Sequence, residues 1–137
     1  MPTPITADRF FDHLPELGFT RQGQIFTKSI GPARLTVDTA KKTLHYPEDH
    51  GLTINERQTC NFDHTENFVV FECVLRLLEK GYLARHIELE PKWKLGHGAS
   101  GGRADILIRD NLDVPLLIIE CKTAGRESQF PRLQSRR

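Results

Sequence analysis

The stretch Leu116-Leu117-Ile118-Ile119-Glu120-Cys121-Lys122 decides how the chain folds. An apolar run of this length, ending in charge, reads as a strand, and its period of two sets Ile118, Glu120 and Lys122 on one face and Ile119 and Cys121 on the other. Upstream, Ala104 to Arg109 is a second segment of strand length in which Asp105, Leu107 and Arg109 share a face and Ile106 and Ile108 take the opposite one. Asp110-Asn111-Leu112-Asp113 supplies turn residues between the two, so they form a hairpin. A loop spanning about Asn111 to Pro115 places Asp105 opposite or diagonal to Glu120.

Two carboxylates held that close at the end of an apolar sheet repel each other unless a cation lies between them. A magnesium ion, with manganese as its substitute, answers this: it is a hard ion that takes carboxylates, a backbone carbonyl, waters and phosphate. Asp105, Glu120 and the carbonyl of Cys121 are the expected partial shell, with substrate completing it. Lys122, on the same face as Glu120, is placed to orient an attacking water or to stabilise negative charge developing on a phosphate. The preceding Gly96-His97-Gly98-Ala99-Ser100-Gly101-Gly102 lets backbone approach a phosphate, but it lacks the Gly-Lys-Ser/Thr ending of a nucleotide-binding loop, which excludes an ATP site of that kind.

Working toward the N-terminus, His86 to Lys94 alternates as a strand. Before it, Thr65 to Lys80 carries Phe68, Val69, Phe71, Val74, Leu75 and Leu78 over a broad helical face, pairs Glu72 with Arg76 at i,i+4 and meets Gly81 as its stop. Asp63 followed by Glu66 has the form of a helix start. Ala7 to Leu17 shows helical spacing interrupted by Pro15. Short period-two runs at Phe19, Gln22 to Thr27 and Arg34 to Val37 then predict a small antiparallel element, and Pro47 to Gly51 a turn-rich connector. The expectation is one α/β domain over 1–137: an N-terminal helix and β element over 1–60, a core over 61–124 in which a mixed or antiparallel sheet is flanked by helices, and a basic tail over 125–137 with no further strand pair.

At 137 residues the chain suits one domain, and a formal net charge of +1 gives no global basic field. The basic residues Lys122, Arg126, Arg132, Arg136 and Arg137 nevertheless form a local run fit for phosphate contacts. No apolar run approaches the roughly 20 residues that cross a bilayer, and the Met1-Pro2-Thr3-Pro4 start lacks the parts of a signal peptide, so a cytoplasmic location off the membrane is expected. Cys60, Cys73 and Cys121 are an odd, widely spaced set and read as reduced thiols. Cys60 and His64 lack a second pair with zinc spacing. Trp93, between Lys92 and Lys94, reads as a core residue before a base-stacking one, and His97 as a solvated loop residue.

Gly102-Arg103-Ala104-Asp105, a strand, a turn and Ile118-Ile119-Glu120-Cys121-Lys122 together resemble the active-site core of the PD-(D/E)xK nuclease superfamily. The helix from Glu66-Asn67-Phe68 through Leu77-Leu78-Glu79-Lys80-Gly81-Tyr82 is similar to the one preceding this core in the N-terminal nuclease domain of type I restriction R subunits and of some fused restriction–methyltransferase proteins. The resemblance covers about Thr65 to Ala124. It implies a restriction-endonuclease-like core and magnesium-dependent hydrolysis of DNA phosphodiesters leaving a 5′ phosphate. It assigns metal binding to Asp105 and Glu120, the catalytic lysine to Lys122, and support of the metal-bound water or a second metal to Glu66, with Glu72 as a lesser substitute.

The chain departs from that family pattern after Lys122, where no Gln-x-x-x-Tyr helix follows. Two further readings therefore stay open: a non-catalytic nuclease-like module that binds DNA or docks onto methyltransferase, motor or specificity subunits, and a plain α/β interaction domain.

Overall fold

A computed structural model describes residues 7–91, 105–121 and 132–135. In chain order the elements are α1 (Ala7–His13), β1 (Thr20–Gln22), β2 (Ile25–Ile30), β3 (Ala33–Asp38), β4 (Thr43–His45), β5 (Thr53–Ile54), α2 (Thr65–Glu79), β6 (Ile87–Leu89), β7 (Ile106–Arg109), β8 (Pro115–Glu120) and β9 (Arg132–Ser135). Single 3-10 turns fall at Glu48–His50, Arg57–Cys60 and Ala84–His86. The fold is mixed α/β with two sheets: an antiparallel one in the order β1-β2-β3-β4, and one in the order β5-β6-β7-β8-β9 in which only the β5–β6 pair is parallel.

The antiparallel element predicted before residue 40 is present, and its hairpins follow from turn chemistry. Ile30 pairs with Ala33 across Gly31-Pro32, where Gly31 takes φ 62 at the first turn position and leaves the second to proline. β4 completes this sheet. Gly51, at φ 98, turns the chain toward β5; a Cβ there would meet the Cβ of Arg85 at 2.8 Å, so the close approach also requires glycine.

Helix α2 occupies the centre, and Phe68, Phe71, Val74 and Leu75 are essentially without solvent contact. It is buried nearly all round, because one continuous core joins it to Leu35, Val37 and Leu44 of the first sheet and to Ile87, Leu89, Ile106 and Ile119 of the second. The aromatic rings pack face and edge: Phe10 from α1 stacks on Phe68 with centroids 4.7 Å apart, and Tyr46 meets Phe71 edge-on at 5.3 Å. Lys28 of β2 donates to Glu79 at 2.5 Å and so ties the first sheet to the end of α2.

Several expectations need correction. α1 stops at His13, short of Leu17, two residues before Pro15. Asp63 does not cap α2: His64 holds the cap position with no side-chain cap bond, and the buried Asn67 anchors the helix start by donating to the carbonyls of Gln58 (2.8 Å) and Asn61 (3.0 Å). β6 is only Ile87–Leu89, because Glu90 at φ 48 ends the pleat, and 92–94 lie outside the described residues. The tail, expected to hold no further strand pair, contributes the single strand β9 against β8, with Glu120 in register with Arg132. Among the described residues no helix is long and apolar enough to cross a membrane.

Tyr46 is the one defect in this packing. Its hydroxyl is buried with no hydrogen-bond partner among the described residues, and burial pushes its ionisation well above the ordinary tyrosine range. An unsatisfied buried hydroxyl costs about 1–3 kcal/mol, so Tyr46→Phe should raise the unfolding free energy by about 1 kcal/mol in urea denaturation, with the slope against urea unchanged.

Candidate active site

The register of the second sheet assembles the site. Ile106 pairs with Ile119 and Leu107 with Ile118, but the ladder does not run on unchanged to Asp105, whose N–H bonds to the Ile119 carbonyl and not to Glu120. Ile106, Ile108, Ile119 and Cys121 face the core shared with α2, as the period of two predicts. Leu107 and Ile118 are buried outside that cluster, on the other side of the sheet, where Arg109 meets Glu88 at 2.6 Å.

Asp105 is stitched into both neighbouring strand ends. Its N–H donates to the Ile119 carbonyl (3.0 Å), its Oδ2 accepts the Cys121 N–H (2.7 Å), and its carbonyl accepts the Glu90 N–H (2.9 Å). Its residue exposure is 9%, which leaves the carboxyl little water. Burial is the main force raising its pKa to about 7; the Cys121 N–H acts against this, while the charges of Glu66 and Glu90 and a hydrogen bond with the Glu90 carboxyl push it further up. Three acidic side chains from three separate elements thus converge electrostatically: Glu66 from the first turn of α2, Glu90 from the end of β6 and Asp105 from the start of β7.

Of the residues expected from sequence, Asp105 lies just before β7 and Glu120 at the end of the adjacent β8, but Asp105 bonds to Ile119 and Cys121 and is not paired with Glu120, while Glu66 acts on Asp105 through its charge. The Cys121 carbonyl belongs to the same strand end. Glu72 is engaged elsewhere, by Arg76 at 2.6 Å. Lys122, Trp93, His97 and the Gly96–Gly102 loop lie outside the described residues. Glu90 is the residue missed, because a strand running from His86 to Lys94 hides the turn at its centre. The signal available was a glutamate directly before Pro91, a position whose backbone is restricted.

Carboxylates and a peptide carbonyl are hard oxygen donors, so by type these residues fit magnesium or manganese. Among the described residues no group of three or more His, Cys, Asp or Glu is placed to hold a metal ion. Any such ion would need waters and a substrate oxygen to complete its shell. The cysteines do not compete: all three are free, and the Cys121 thiol is pushed upward in pKa, first by its hydrogen bond with Cys73 and then by burial, which keeps it protonated. Cys60 is likewise raised by burial.

The elevated Asp105 has a consequence for stability. The folded chain holds this proton up to about pH 7, whereas the unfolded carboxyl releases it near 3.8. Its contribution to stability is therefore fully present below about pH 4 and is lost as pH rises through about 7. Thermal unfolding without divalent cations should show wild-type stability declining across that window and a flatter profile for Asp105→Asn; parallel profiles would place the titration elsewhere. No family model, no curated protein and no solved structure matches the chain, so the chemistry of the site has to be argued from these residues.

Proposed function

We propose that this chain is a magnesium-dependent DNA endonuclease domain of a restriction–modification system, with a restriction-endonuclease-like core, acting in the cytoplasm. The observation that carries the proposal is the buried Asp105 at one sheet end, under the charges of Glu66 and Glu90, with Glu120 ending the neighbouring strand. Clustered carboxylates in a poorly hydrated place are unfavourable by themselves, and a divalent cation relieves them.

Asp105, Glu120 and the Cys121 carbonyl would hold the ion. Bound there, it supplies Lewis-acid polarisation of the phosphate and a more acidic water. The Cys121 N–H fixes the Asp105 carboxylate by taking up Oδ2. Lys122, two residues after Glu120 in the sequence, would bear the charge that steadies the attacking water or the phosphate, and Glu66 would accept a hydrogen bond from that water. Attack of the water oxygen on phosphorus breaks the bond to the 3′ oxygen and leaves a 5′ phosphate on the other fragment. Methyltransferase, motor or specificity subunits are the partners this reading calls for.

A second reading, a docking module that cuts nothing, draws on one feature. Leu112, Val114 and Leu116 alternate along the β7–β8 hairpin and its approach with exposures of 82%, 50% and 42%, an apolar edge that a partner subunit would cover. The two readings separate on supercoiled plasmid incubated with magnesium or manganese. The nuclease reading expects nicking that falls by about a hundredfold or more in Asp105→Ala and in Lys122→Ala. Absence of cleavage by folded wild-type protein would leave the docking module in its place.

A further inference from the structure

In the first sheet the buried side chains Phe26, Leu35, Val37 and Leu44 all fall on the core side. On the other side the register sets Thr20, Thr27, Thr36 and His45 in one row across all four strands, with Ser29 paired to Arg34 in the next row. Every one of these is exposed or half-buried. The hydroxyls of Thr27, Ser29 and Thr36 have no hydrogen-bond partner among the described residues, so they are open to solvent or a ligand.

Charge is distributed unevenly along the chain. Residues 20–45 carry five Lys and Arg against one acidic residue, Asp38, whereas the whole chain has 19 against 18, so the remainder is net acidic. Two of the five are engaged on the core side: Lys28 with Glu79, and Arg21 over the Phe26 ring. The other three are Arg34, on the outer side, and Lys41 and Lys42, in the turn between β3 and β4. All three are exposed, and none has an ion pair among the described residues. Asp38, by contrast, is 8% exposed, and its Oδ1 accepts the N–H groups of Ala40 and Lys41, both at 3.0 Å. The one negative charge is thus held inside the turn. Threonine in an open antiparallel face is explained by strand propensity alone. The lack of any exposed acid among three free cations is not, since a face that need only be wetted mixes both signs.

Arg34 and the Lys41–Lys42 turn lie at opposite ends of β3, about 13 Å apart at the rise of a strand, and the four strands span about 14 Å. Over about that length duplex DNA presents about four phosphates on each strand. Cations at the two ends with hydroxyls between them match such a row, because Arg and Lys neutralise phosphates and Ser and Thr donate to their oxygens. We propose that the outer face of β1–β4 holds the sugar–phosphate backbone of duplex DNA without reading its sequence. The choice of duplex DNA as the polyanion rests on the nuclease reading; the charge argument stands apart from it.

Fluorescence anisotropy of a labelled mixed-sequence duplex, titrated with the full chain in EDTA, reads this binding separately from cleavage. Joint replacement by Arg34→Ala, Lys41→Ala and Lys42→Ala should weaken binding by about tenfold or more and lower the slope of log affinity against log salt by about two to three. Lys80→Ala, which removes an exposed cation at the end of α2, should change neither. Arg34→Glu should weaken binding further than Arg34→Ala, a graded response that misfolding would not give. Wild-type affinity and slope in the triple variant would overturn the proposal, and nicking of plasmid by that variant would leave the nuclease reading standing without this surface. Absence of duplex binding by wild type would overturn it as well. Tighter binding of an RNA strand of equal length through the same three residues would overturn DNA as the partner. Binding that depends on the three cations, in a protein that cuts nothing, would keep the surface and overturn the nuclease reading.

Discussion

The pairing register of β7 with β8 is the constraint on which the molecule depends. Side chains alternate with a period of two, so a slip of one residue would move Ile106, Ile108 and Ile119 out of the core. The turn helps to fix this register. Asp110 Oδ1 accepts the N–H groups of Leu112 (2.8 Å) and Val114 (3.0 Å), Asp113 takes φ 65, and the Asp110 N–H closes on the Val114 carbonyl at 2.9 Å. The ladder shifts between Ile108 and Arg109 to accommodate that loop.

The second requirement is that the start of α2 be aimed at the same strand end. Burial supplies the adhesion: a fully buried Phe, Val or Leu contributes about 1.5–3 kcal/mol, and α2 offers apolar side chains to both sheets. Adhesion does not choose where the helix begins, however. Asn67 does that by satisfying the Gln58 and Asn61 carbonyls at the first turn, which leaves Glu66, its exposed neighbour, pointing its charge toward Asp105. The polar contact is specific where the apolar ones are permissive.

Those parts of the molecule that rest on local pattern were legible in the sequence. Ile106 to Arg109, the Leu116 to Glu120 strand and the helix from Thr65 all follow from periodicity and turn residues. The parts that escaped rest on distant partners. β4 and β5 have three and two residues, too few for a period, and exist because β3 and β6 lie beside them. β9, directly after Pro131, is likewise recruited by the open edge of β8. Glu90 is the sharpest case: the residue that sets its backbone, Asn55, is 35 positions earlier, and no local propensity would turn a Leu-Glu-Pro strand into a left-handed residue.

Taken together, the site works against the fold that carries it. Asp105 is drawn out of water, approached by Glu66 and Glu90, and held by a single backbone N–H that favours its charged form. Without a cation the cheapest response is to keep a proton there, which is why its pKa climbs to about 7. The apolar core around α2 makes this tolerable, since it is continuous across both sheets and does not run through the carboxylates. Strain confined to one strand end, over a core indifferent to it, is the arrangement expected where affinity for a charged ligand has been set above stability. On the nuclease reading, a cation reaching Asp105 would take the place of that proton.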